Sequence, residues 1–511
     1  MDTKKDINKI KNNFRAYDQE QPYWDTIYIK KLLESEHPAR IIDTVVEKLN
    51  LEKLYKEYRH EGNPPYHPKM MLKILFYAYY IGIMSCRKMW NAVMYRSDFI
   101  YLAAGQVPNF RTINSFRKRH IRQLPDLFAQ VVMLCVNLDL VGFKYLSVDG
   151  ETIKANANFQ KNKSKAQVKK ELERLKTTME KLLKQDIPED EPEEIKEWRE
   201  KRERRIKEKY KKLEGLKETL DTLVEEEESK RENRILGAEE ERPRRRESDS
   251  DKVKFNLTDP QAPILQHKDS RILPSYQHQS AADGKYGVVC AVQTTRRPDH
   301  PSDLIPIVDK AKENTRRDFD FVLADCAFGS LGVYERIEKE KRNEEYYVPD
   351  ERYKIRGRKK ENKGKYPQES FTFDEYGGLY CPAKKQMKWQ GRYKQFSSKK
   401  DIYYGTGCGD CKVKKECTDA EKRIVGIDIR TKHRIKMWNR LDSQWGRYHY
   451  SKRGPIIENV HGDDQKNRNW IQHHLRGYQK AEGEFCLIRI GTNLRKIVKY
   501  GKEMLFNTNY N

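Results

Sequence analysis

No stretch of the 511 residues approaches the run of about 18 apolar residues that a membrane-spanning helix requires. The opening residues, Met1 to Asp6, are polar and lack the apolar core of a secretory signal. An intracellular protein with no membrane partner is therefore expected. Acidic charge is also scarce: 78 Asp and Glu stand against 103 Lys and Arg, a formal net charge of +25. That balance favours a polyanion partner, with nucleic acid the first candidate. Cysteine is too sparse and too unevenly placed for a disulfide framework. There are nine, an odd number, and four of them fall between Cys381 and Cys417. Reduced thiols or a metal site fit that usage better.

Two short stretches carry the chemistry. In Tyr145-Leu146-Ser147-Val148-Asp149-Gly150, an apolar run ends in a carboxylate and a glycine breaks it. In Phe321-Val322-Leu323-Ala324-Asp325-Cys326, the arrangement recurs, with Gly329 and Ser330 following. Ligands tend to bind at the carboxyl ends of strands in α/β sheets. If the two strands are neighbours, Asp149 and Asp325 come together, and a divalent cation relieves their repulsion. Taken singly, each Asp also suits an ordinary strand-end turn. A third carboxylate, Glu458, lies on a helix that Pro455 helps to start, just after Tyr450 and Arg453. A carboxylate beside a guanidinium and a phenol suits phosphate handling, and equally a capped surface helix.

The rest of the chain sorts by pattern. Residues 1–140 read as a helical domain, with apolar residues at helix spacing from Ile41 to Leu49, from Met70 to Ala78 and from Ser85 to Val93. The stretch Asn109 to His120 predicts a helix with one basic face, carrying Arg111, Arg117, Lys118 and Arg119. It could enter a DNA groove or simply be a solvated surface helix. Leu127 to Leu140 predicts another helix, opened by Pro125. Residues 160–250 change character. Heptad-like leucines on both sides of the break Ile187 to Pro192 predict an antiparallel helical hairpin inserted into the catalytic domain, 141–511. Arg242 to Arg246 ends it as a basic loop. Tyr276 to Gln279 and Tyr286 to Thr294 predict a strand pair, with a helix at Asp303 to Ala311.

Residues 335–440 read as a basic, cysteine-containing insertion between Asp325 and Glu458. Arg352 to Lys360 within it is a loop or a phosphate contact. Cys408-Gly409-Asp410-Cys411 has the spacing of a zinc knuckle, which Cys381 and Cys417 would complete. Free thiols around a small turn are the alternative.

The order Asp149, Asp325, Glu458 resembles that of the DDE transposases of prokaryotic insertion sequences. Phe14 to Asp18, Val148 to Ala157, Leu257 to Ala262, His474 to Gly477 and Asn493 to Lys496 are similar to successive landmarks of one branch of that family. Tyr450 and Arg453 fit the family's Tyr-Arg-Glu-Lys signature. Glu458 stands one residue further from Arg453 than the usual form, and Gln465 takes the expected Lys position with Lys466 beside it.

The resemblance implies an α/β fold: an RNase H-like core, a mixed sheet flanked by helices, behind an all-α N-terminal domain. It implies two Mg²⁺ or Mn²⁺ ions on Asp149, Asp325 and Glu458. DNA or phosphate contacts would come from Tyr450, Arg453, Lys466 and the basic helix. The activity implied is cleavage at element ends and joining of 3′-hydroxyls to target DNA, by a homodimer on double-stranded DNA in a prokaryotic cytoplasm, at the nucleoid. A catalytically silent DNA-binding descendant, acting as repressor or architectural factor, is the alternative, and a plain RNase H-like nuclease a third reading.

Overall fold

The computed structural model describes residues 15–507, apart from 16, 20–21, 25–26, 59–62, 184–191, 238–253, 356–364, 367, 375–377 and 396–397. Phe14, the break at 187–191, the basic stretch Arg242 to Arg246 and Arg356 to Lys360 lie outside the described residues.

The N-terminal region is helical: α1 (Pro38–Glu47), α2 (Pro68–Ile81), α3 (Cys86–Tyr95), α4 (Phe110–Arg119) and α5 (Leu124–Asn137). α1 and α2 begin alike. A proline occupies the first turn, and the preceding His37 or His67 side chain accepts a hydrogen bond from the backbone of Ala39 or Lys69. α2 stops at Gly82, whose φ of 85° is left-handed. Lys73 of α2 is fully buried and ion-paired with Asp43 and Glu47 of α1. Its ammonium also donates to the Tyr17 hydroxyl at 2.9 Å, which pins the lead-in segment to the bundle.

The sheet begins at β1 (Tyr145–Lys154). Beyond it two helices, α6 (Lys165–Leu183) and α7 (Glu193–Gly237), lie side by side. Ion pairs Lys165–Asp221 and Lys209–Glu171 fix them antiparallel. Val168, Leu213 and Phe255 close the base of this hairpin in an apolar cluster separate from the main core.

The chain returns through β2 (Ile264–Gln266), β3 (Ile272–Asp283), β4 (Val289–Thr295), α8 (Leu304–Thr315), β5 (Phe321–Ala324), α9 (Leu331–Lys339) and β6 (Glu345–Tyr347). The sheet runs β6-β5-β1-β3, with β4 and β2 both paired to β3. β1 is parallel to β5 and antiparallel to β3; β5 and β6 are parallel. The 335–440 insertion therefore needs new boundaries. Tyr346 and Tyr347 are fully buried and make β6 an edge of the main sheet. Three residues flanked by charge show too little alternation to be recognised as a strand.

A small second sheet follows, β7 (Lys388–Gln395), β8 (Ser398–Tyr404) and β9 (Ile424–Asp428), antiparallel throughout. Helices α10 (Thr431–Asp442), α11 (Gln444–Ser451), α12 (Arg453–Gly462) and α13 (Tyr478–Lys496) complete the fold. α13 is apolar nearly all round because it lies between α2, α5 and β4. One apolar core thus runs without a break from the N-terminal helices into the sheet.

Candidate active site

In the parallel ladder, Leu146 faces Val322, Ser147 faces Leu323 and Val148 faces Ala324. The next residue on each strand is the acid, so Asp149 and Asp325 stand at adjacent strand positions. Asp149 accepts from the Gly150 amide at 2.9 Å. Asp325 caps a short turn by accepting from the Ala327 amide at 3.2 Å.

α12 crosses this end of the sheet. The Ser147 hydroxyl donates to the Arg453 carbonyl at 3.2 Å and ties the start of α12 to β1. The Arg453 guanidinium reaches Asp149 at 3.4 Å. Burial works against its charge, but Asp149, Tyr450, Asp325 and Glu458 together raise its pKa further. All three predicted acids therefore lie within electrostatic reach of one cation. The exposed Glu458 folds back along its helix: a Cβ built on Gly454 would stand 3.2 Å from its carboxylate oxygen. Asp325 sits below the usual carboxylate range. Burial would raise it, but Cys326, the Ala327 amide, Arg453 and Lys354 outweigh that. Burial pushes the Tyr450 phenol up to about 12, so it keeps its proton and can donate.

Residues 27–119 match the family model described as a transposase domain (DUF772), and residues 380–498 match the one described as a transposase DDE domain. Both models describe transposases, and together they support an insertion-sequence DDE transposase. No curated protein and no solved structure matches it.

The chain does not place all the expected residues on its surface. Arg117 is turned inward, 4% exposed, donating to the Tyr79 hydroxyl at 3.0 Å and the Met84 carbonyl at 3.1 Å. Its expected place on a basic DNA face is corrected: α4 packs Ile113, Phe116 and Arg117 against the bundle. Arg111, Lys118 and Arg119 remain exposed. Lys466 is exposed in a π turn, Asp463–Asn467. Cys381 and the clustered Cys408, Cys411 and Cys417 line one small cavity.

Two residues near the acids escaped the sequence reading. Asp299 lies against Gly150, where any Cβ would fall 2.1 Å from its carboxylate, and it accepts from Gln279 at 2.9 Å. Burial, with Asp149 and Asp303 adding repulsion against the Gln279 and Gln277 hydrogen bonds, pushes it up to about 6. The glycine after Asp149 was its only trace in sequence. Lys354 sits 3.2 Å from the Cys326 sulfur and acts on Asp325. It belongs to the basic stretch already noted, but nothing local pointed to Asp325.

Below the site, Glu151, His461 and Asp464 bring donor atoms within 4.8 Å of one another. The cation already there is Arg489, fully buried and ion-paired with both Glu151 and Asp464; Arg468 pairs with Asp464 as well. His461 Nδ1 stands 3.1 Å from Glu151. Guanidinium groups fill the role that a metal would take.

Proposed function

We propose that the transposase cuts DNA at the ends of its element and joins the 3′-hydroxyl ends to target DNA. In this reading Asp149, Asp325 and Glu458 hold two Mg²⁺ or Mn²⁺ ions. The donor set fits: three carboxylates offer hard oxygen ligands at a solvent-accessible edge, and Mg²⁺ commonly takes only one or two carboxylates plus substrate phosphate. When bound, such ions activate an attacking water or 3′-hydroxyl and stabilise the departing 3′ oxygen.

The chain's own side chains handle the phosphate. Arg453 Nη1 makes no hydrogen bond and holds only its 3.4 Å ion pair with Asp149, so a phosphate oxygen arriving beside Asp149 would give it an acceptor. Tyr450, protonated at neutral pH, donates beside it. Lys466 supplies a further positive charge. A π turn takes one residue more than an α turn, so it offsets the one-residue shift of Lys466 from the expected signature position. The sheet order, with β3 antiparallel to β1 and β4 and β2 antiparallel to β3 on one side, and two parallel strands on the other, supports an RNase H-like core. We assign end binding to the helical region 1–140, through Arg111, Lys118 and Arg119, with a homodimer on the DNA.

The register that makes Asp149 and Asp325 neighbours, with Arg453 beside both and Glu458 behind it, carries this reading. The test is a plasmid holding the gene with its flanking DNA, incubated with Mg²⁺. The wild type should nick it at the element ends. Asp149→Asn should bind the same DNA equally well and leave it intact. Binding without cleavage by the wild type would favour the silent DNA-binding alternative.

A further inference from the structure

The insert bearing β7, β8 and β9 has few means of holding itself together. Among the described residues, its own core consists of seven buried residues: Phe371, Leu379, Met387, Tyr403, Cys417, Val425 and Ile427. Cores this small usually need a staple. No disulfide supplies one, since all nine cysteines are free thiols.

At one end of the insert, two chain segments, one with Cys381 and one running from Cys408 to Cys417, bring their cysteines to the same cavity. Cys381 opens a tight turn in which the Lys384 amide donates back to the Cys381 carbonyl at 2.8 Å, with Lys384 at φ 56°. Cys408 and Cys411 follow Gly407, at φ 57°, and the Lys414 amide donates to the Cys411 carbonyl at 3.0 Å. Cys417 ends the short helix Lys414–Cys417, and Arg423 donates to its carbonyl at 3.2 Å. Gly405 leaves space beside them, since a Cβ there would fall 2.6 Å from the Cys408 sulfur. The cavity enclosed is about 20 Å³. That volume admits a single water-sized species.

We propose that Cys381, Cys408, Cys411 and Cys417 form a tetrahedral thiolate site for one Zn²⁺, which staples the insert. The four thiols bind as thiolates, so uptake of one ion releases four protons. No three of the sulfurs lie within 4.8 Å of one another, among the described residues. Zn–S bonds of ~2.3 Å place ligand sulfurs about 3.8 Å apart, so the ion draws the two segments inward. A hard cation such as Mg²⁺ does not compete for four sulfurs. The site is separate from the carboxylates: β9 leads into α10, whose Arg434 holds Asp350 at 2.6 Å, and only then to α12 and Glu458.

Metal analysis of the full-length protein tests this. Wild type and Asp149→Asn should each carry about one zinc per chain, and the double variant Cys408→Ser/Cys411→Ser should carry none. Replacement of the metal with Co²⁺ should give the thiolate-to-cobalt charge-transfer absorption of a tetrahedral site. If the double variant fails to fold, the wild-type cobalt spectrum decides alone. Wild type without zinc and without that absorption overturns the proposal, as does zinc retained in a folded double variant.

Discussion

Arg489 shows how much can rest on one side chain beneath the acids. It is fully buried and is shared between Glu151 on β1 and Asp464 just beyond α12. Removing it leaves the buried Glu151 with only His461 beside it and the buried Asp464 with only Arg468. Breaking a buried pair in this way costs about 3–5 kcal/mol. Arg489→Ala should therefore lower the urea midpoint strongly, and Arg489→Lys should recover part of the loss. Near-wild-type stability in Arg489→Ala would mean that His461 and Arg468 suffice.

Asp299 gives a prediction with a sign in pH. Its carboxyl is raised to about 6 in the fold, from an ordinary value of 3.8. The folded state thus favours the protonated form. The stability it contributes is complete below about pH 4 and is lost as pH rises through about 6. Asp299→Asn, which keeps the acceptor for Gln279, should raise the melting temperature at pH 8 and leave it unchanged at pH 4. Equal effects at both pH values would refute the raised pKa.

At the scale of elements, legibility in the sequence followed periodicity. α2, α3 and α5 came from apolar spacing, and Pro125 does occupy the first turn of α5. The strand pair before Asp325 came from two apolar runs around a turn. Arg117 did not come out, because its burial depends on acceptors at Tyr79 and Met84 in other elements. Asp299 and Lys354 failed for the same reason: their partners are distant in sequence. The helical hairpin has its own small cluster at Val168, Leu213 and Phe255. Leu213→Ala should cost about 2 kcal/mol locally. Hydrogen exchange should then speed up in α6 and α7 while β1 stays protected. Faster exchange in β1 as well would show that the hairpin and sheet unfold as one unit.

For the whole molecule, a continuous core joins the helical region to the sheet through α13. The Asn493 side chain links that helix to β4 by accepting from the Val289 amide and donating to its carbonyl. The Arg495 guanidinium donates to the Tyr80 carbonyl at the end of α2 at 2.8 Å. Residues 27–119 and 380–498, matched to separate transposase domains, are therefore packed around shared helices.

The central claim is that Asp149, Asp325 and Glu458 act as one metal site. It is tested most directly by Mn²⁺ titration of the complex with the gene's flanking DNA, followed by electron paramagnetic resonance. The account predicts that Asp149→Asn, Asp325→Asn and Glu458→Gln each weaken Mn²⁺ binding at least tenfold, about 1.4 kcal/mol, with DNA affinity unchanged. Wild-type Mn²⁺ binding in any one of the three variants would contradict it.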